Sequence, residues 1–152
     1  MRKIILLMFM MMFTVWVNAQ INNPVKWSHT AVKTAGKTYE LHLTAIIDDN
    51  WHMYAQETGD GPEPTTINFI NNPLVIFDGK PQEVGKLLSV YEKYFRSESK
   101  YYEKKVDFVQ KIKVKSSIAT LVKGNVIYVA CNDRGKCLAP KDVPFSIAIN
   151  GK

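Results

Sequence analysis

An all-β sandwich is the fold class this chain predicts, on three observations. Apolar and polar residues alternate with a period of two through several stretches. Clusters of turn residues separate those stretches at short intervals. No segment carries a helical apolar stripe closed by caps. Alternation of this kind marks strands with one buried face, and regular turn signals between short strands mark a sandwich or barrel.

The first element is a leader, not a strand. Arg2 and Lys3 precede an apolar run over residues 4–17, interrupted only by Thr14, and Val17-Asn18-Ala19 offers small or neutral residues for cleavage. That is the layout of a secretory signal. The run has fourteen residues, and a spanning helix needs about 20. The expected mature chain is residues 20–152, an exported, soluble monomer.

Strands follow in order. Val25, Trp27, His29 and Ala31 alternate with Lys26, Ser28, Thr30 and Val32. Tyr39, Leu41, Leu43 and Ala45 alternate with Glu40, His42 and Thr44. Residues 51–54, 66–70 and 74–77 are shorter candidates. Val106, Phe108, Gln110, Ile112 and Val114 alternate with Asp107, Val109, Lys111 and Lys113. Residues 125–131 and 144–149 are apolar and rich in β-branched side chains, which suits strands. Turns are expected at Ala35-Gly36, Asp48-Asp49-Asn50, residues 59–64, Asn71-Asn72-Pro73, Asp78-Gly79-Lys80-Pro81, Lys123-Gly124-Asn125 and Asp133-Arg134-Gly135. Residues 87–105 mix charges and aromatics without a period and read as a long surface loop between two strands, of the kind that is functional or disordered. Seven or eight short strands then make an immunoglobulin-like β-sandwich, with a long loop beside a Cys-x5-Cys hairpin.

Composition narrows the function. Two basic residues belong to the leader, so the formal charge falls from +6 to +4. The remaining lysines are dispersed, as on a solvated surface, and nucleic-acid binding is not expected. Two cysteines and the three separated histidines His29, His42 and His52 do not form a zinc ligand set. No metal or other cofactor is expected.

The cysteine pair is the chemistry-bearing feature. A strand runs into Cys131, Asn132-Asp133-Arg134-Gly135 is strong turn chemistry, and the chain returns through Cys137. A disulfide across the mouth of this turn is geometrically reasonable, and exported chains meet an oxidising compartment. A structural staple and a working redox bond both remain open on physical grounds. Closing so short a loop contributes only about 2 kcal/mol in the chain-entropy model, little for a domain of this size. Flanking Arg134 and Lys136 suit a reactive thiol.

The pattern Gly124-Asn125-Val126-Ile127-Tyr128-Val129-Ala130-Cys131-x5-Cys137-Leu138-Ala139-Pro140 resembles the N-terminal periplasmic domain of the thiol:disulfide interchange protein DsbD. The resemblance extends to Asp49-Asn50-Trp51-His52-Met53-Tyr54, to Gly61-Pro62-Glu63-Pro64-Thr65, and to Tyr101-Tyr102-Glu103-Lys104-Lys105-Val106. It implies an electron relay on an immunoglobulin-like fold. Such a relay takes reducing equivalents from a thioredoxin-like domain and passes them to thioredoxin-fold clients. It implies that Cys137 forms the mixed disulfide with partners and that Cys131 leaves or resolves. It implies a cap loop with an aromatic tip, best matched by Phe95, with Tyr94 as the alternative. Two departures stand out. Lys93 and Tyr94 lie where the family carries acidic residues, with Glu92 the nearest acid, and His52 stands where a tyrosine is expected. The 152 residues include neither membrane helices nor a thioredoxin domain, so a separate protein is expected to supply the electrons.

The remaining site candidates each have two readings. His52 is a proton carrier for a thiolate, since imidazole titrates near neutrality, or a half-buried strand residue. Tyr54 lines the site or packs in the core. Phe95 is a cap or a surface aromatic. Tyr91, Tyr94, Tyr101 and Tyr102 suit a protein contact surface, and Trp27 and Trp51 suit the core. The rival to the relay is a non-enzymatic binding module with a structural disulfide.

Overall fold

The computed structural model describes residues 23–59, 61–92 and 96–150. The expected leader lies outside them. Among the described residues there are nine strands: β1 (Val25–Ala35), β2 (Thr38–Ile47), β3 (Trp51–Tyr54), β4 (Thr66–Phe69), β5 (Val75–Glu92), β6 (Ser97–Val114), β7 (Thr120–Tyr128), β8 (Ala130–Asn132) and β9 (Lys141–Ile149). They form two antiparallel sheets, as the period-two pattern predicts. The larger sheet runs β1-β2-β6-β3-β8, with β5 also paired to β6, and the smaller runs β4-β7-β9.

The two sheets meet over an apolar core. Leu41, Leu43, Ala45, Val106, Phe108 and Ile112 face it from the larger sheet, and Val122, Val126, Tyr128, Phe145, Ile147 and Ile149 from the smaller. These are the residues whose alternation announces strands: β2 reads buried at Tyr39, Leu41, Leu43 and Ala45, and β6 at every second residue from Val106 to Val114. Trp27 and Trp51 are half-buried and pack against the same core.

In the stretch expected as a loop, residues 87–92 and 97–105 are strand. β5 and β6 pair almost along their whole length, from Val75 opposite Val114 to Glu92 opposite Ser97. The tip of this hairpin, residues 89–92 against 97–100, is a two-stranded arm. Val90 and Tyr91 are exposed on it, and Val84 and Leu87 are exposed on the stretch of β5 that leads to it, so these side chains carry no buried-face alternation for the sequence to display. Tyr102, expected on a contact surface, is a core residue instead.

Two expected turns lie inside strands. The Asp78–Pro81 segment is a bulge in β5, where the register with β6 shifts between Asp78 and Gln82 and Gly79 takes a φ of +67°. The Gln110 amide, buried in β6, donates to the carbonyl of Asp78 at 3.0 Å and so occupies a backbone group of the bulge. Gly124 sits in the middle of β7, opposite Phe69 and Phe145. A Cβ there would lie 2.1 Å from the Asn68 carbonyl oxygen and 2.5 Å from the Phe145 ring. Glycine at this position admits a close approach, the second common reason for glycine in a strand.

The expected strand over residues 125–131 is divided at Val129. β7 belongs to the smaller sheet and β8 to the larger. This crossing delivers Cys131 to β3.

Candidate functional site

The disulfide forms as the turn chemistry predicts. Cys131 and Cys137 are bonded, with Cα atoms 4.0 Å apart, and face one another as an antiparallel bridge. Asn132 organises the five-residue return between them. Its side-chain oxygen accepts from the backbone N–H of Arg134 at 3.1 Å and of Lys136 at 2.9 Å. Its own N–H donates to the Lys136 carbonyl, and the Gly135 N–H donates to the Asn132 carbonyl, both at 2.9 Å. Gly135 supplies a φ of +76° in open space. The hairpin is anchored to the β2–β3 turn through Asp133 N–H and the Asn50 carbonyl at 3.1 Å.

The two sulfur-bearing residues differ in exposure. Cys131 is 2% exposed, whereas Cys137 lies in the exposed turn. Cys131 packs with Tyr54, Val129 and Tyr101 in a small apolar cluster separate from the main core.

β3 supplies the other named side chains. His52 is the register partner of Cys131 on one side and of Glu103 on the other. Directly opposed residues in an antiparallel pair share a face, so His52 stands beside the buried cysteine. Its ring meets Tyr54 edge-on at 5.5 Å and Tyr101 at 4.9 Å. Tyr54 is opposite Tyr101 and 2% exposed, and its carbonyl accepts from the Thr65 hydroxyl. Thus Cys131, Cys137, His52 and Tyr54 gather at one place. Phe95 and Tyr94 lie outside the described residues.

Tyr101 is the site neighbour that sequence reasoning assigns to a general contact surface. The signal for its position is the Tyr101-Tyr102 doublet in a strand: successive side chains point to opposite faces, and Tyr102 takes the core side.

Charge surrounds the hairpin. Lys104, in the left-handed region at φ 62°, pairs with Asp49. The Lys104 hydrogen bond and charge hold the Asp49 carboxyl below its ordinary range. Asp49 in turn raises Lys104, with Glu103 and Asp133 adding to the effect. A depression of about 350 Å³ beside the turn is lined by Asp49, Asn50, Trp51, Asn132, Asp133 and Arg134. Of the other histidines, His29 is exposed on β1 and His42 pairs with Asp107 at 2.7 Å.

Comparison with known proteins gives one family. The family described as "Thiol:disulfide interchange protein DsbD, N-terminal" matches residues 22–148. The DsbD N-terminal domain of Neisseria meningitidis in its reduced form is similar, with 19% identity and a TM-score of 0.57 over 84% of this chain and 86% of that one. The N-terminal periplasmic domain of ScsB from Proteus mirabilis has 19% identity and a TM-score of 0.56 over 90% of this chain and 50% of that one, so this chain spans half its length. A structure of the complex between the DsbD and PilB N-terminal domains from Neisseria meningitidis matches at 15% identity and a TM-score of 0.50, over 85% of this chain and 88% of that one. At these identities the structures establish a shared fold. No curated protein matches the chain.

Proposed function

The chain belongs to the family of DsbD N-terminal domains, thiol–disulfide interchange modules, and from that premise we propose that it relays electrons between thioredoxin-fold proteins through Cys131 and Cys137. The observation that carries the reading is the exposure difference across the bond: Cys137 is reachable from solvent and Cys131 is buried. A partner thiolate attacks Cys137 Sγ and forms a mixed disulfide. The electron pair of the broken bond passes to Cys131. A second partner thiol then releases the partner as a disulfide and leaves the domain as a dithiol. Reduced, the domain attacks a client disulfide through Cys137, and Cys131 resolves the complex. The chemistry needs no cofactor.

The leader-like residues 1–19 support action in the periplasm, the compartment printed for the ScsB domain. The complex described for the two Neisseria meningitidis domains is a precedent for capture of a protein partner. The cap role of Phe95, with Tyr94 as alternative, rests on the sequence resemblance alone.

Cys131→Ala tests the assignment. It is expected to accumulate a mixed disulfide between Cys137 and a thioredoxin-fold partner, seen on a non-reducing gel. Trapping by Cys137→Ala alone reverses the two roles. If neither variant traps and the reduction potential lies well below about −300 mV, the bond is structural and the relay reading fails.

A further inference from the structure

The Cys131 sulfur raises a proton problem. When Cys137 is attacked, the displaced sulfur carries the negative charge of the broken bond inside a cluster that is nearly closed to water: Cys131 and Tyr54 are each 2% exposed. A thiolate without solvent or a partner is strongly disfavoured in such a place. The leaving sulfur therefore needs a proton, or a cation, delivered from the protein.

We propose that His52 is the proton-handling partner of Cys131, delivering a proton to its sulfur as the disulfide opens and taking it back when Cys131 attacks Cys137 again. This deepens the relay reading and rests on it. The register of β3 against β8 sets His52 directly opposite Cys131. Tyr54 and Tyr101 meet the ring by edge and tilted contacts, and both belong to or pack on the cluster that contains Cys131. Among the described residues, the other titratable groups on the elements packed against it are Tyr54 on its own strand and, on β6, Tyr101 and the exposed Glu103. On β5, the register partner of Tyr101 is the uncharged Leu88. Asp133, Arg134 and Lys136 are exposed in the hairpin, and Lys104 is engaged with Asp49.

The step balances. The partner thiolate forms one S–S bond with Cys137 and the Cys131–Cys137 bond breaks. The electron pair and the imidazolium proton both go to Cys131 Sγ, and solvent reprotonates His52. In the resolving direction His52 accepts the Cys131 proton, the thiolate attacks Cys137 Sγ, and the partner leaves reduced. A leaving thiol made effectively more acidic leaves faster.

The test is the pH profile of disulfide reduction by dithiothreitol, corrected for the reagent's own thiolate fraction. In the wild-type protein the corrected rate is expected to fall as pH rises through the imidazole range, because the proton donor is lost. His52→Phe keeps an aromatic ring between Tyr54 and Tyr101 and removes the proton. It is expected to give a flat corrected profile, about three- to tenfold slower at pH 6. A His52→Phe profile that superimposes on wild type overturns the proposal while leaving the relay intact. A second measurement uses no variant: the imidazole titration of His52, read by NMR in the oxidised and reduced wild-type protein. Coupling to Cys131 requires different midpoints in the two states, and equal midpoints overturn it. The reduced protein for this measurement is prepared with a phosphine, so the titration is readable even if dithiothreitol fails to open the bond, an outcome that counts against the relay and not against the coupling.

Discussion

β6 is two strands in one. Its inner half, residues 106–114, buries Val106, Phe108, Gln110, Ile112 and Val114 in strict alternation between the sheets. Its outer half, residues 97–105, runs along β3 and the exposed arm of β5, and most of its side chains meet solvent. Lys104, at positive φ, stands at the joint. The inner half holds the fold together, and the outer half presents Tyr101 to His52 and the disulfide end of the sheet. The difference teaches that one continuous strand can separate stability from chemistry, provided the two are placed at different ends.

The largest test of that separation is Phe108→Ala. Phe108 is fully buried and packs on Trp27 at 5.9 Å between ring centroids. Its truncation is expected to cost about 3–5 kcal/mol of unfolding free energy, measured in urea, from lost burial and the cavity left behind. The exchange rate of the folded fraction is expected to remain within about twofold of wild type, the ordinary spread for a site left untouched. A proportional loss of exchange would show that the two halves are coupled.

A smaller effect comes from the opposite end. Reducing the Cys131–Cys137 bond is expected to lower stability by only about 2 kcal/mol, because the closed loop is short. The reduced protein should therefore keep its far-UV spectrum and a single urea transition at 25 °C. Unfolding on reduction would make the bond a staple and merge the two regions that the fold keeps apart.

The same division decides what is legible in the sequence. β2 and the inner half of β6 can be read directly, since a face buried against a second sheet forces every second residue to be apolar. The arm and the stretch of β5 that leads to it cannot, because Val84, Leu87, Val90 and Tyr91 are exposed and backbone pairing, not burial, sets the register. Gly124 misleads for a related reason: it answers to the Phe145 ring across the sheet, a contact with no local signature. At the site, Cys131, Cys137 and the turn between them are local features and are plain from sequence. The placement of His52 opposite Cys131 needs the chain to change sheets at Val129, which only the tertiary fold reveals.

The finest test lies where the halves touch. Tyr102 belongs to the outer half by sequence but joins the main core. Its hydroxyl donates to Glu83 at 3.1 Å, and the other Glu83 oxygen accepts from the Gln56 N–H at 2.7 Å. Burial chiefly, then the charge and hydrogen bond of Glu83, push the Tyr102 hydroxyl well above its ordinary range. The raised value fixes the sign. The neutral phenol supports the folded state fully only below about pH 10, the unfolded value. As pH rises further the unfolded chain ionises first, so stability falls, by at most about 1.4 kcal/mol per pH unit from this group. Tyr128, also raised by burial, leaves a residual slope. Tyr102→Phe is expected to lose about 1 kcal/mol at pH 7 through the missing hydrogen bond, and to lose less than wild type between pH 7 and pH 10.5. Urea curves read by far-UV dichroism and by tryptophan fluorescence should coincide at both pH values, because Tyr102 is tied to the core. A split at pH 10.5, with the outer half released before the inner, would show that the boundary between fold and chemistry lies at Tyr102 and not at Lys104.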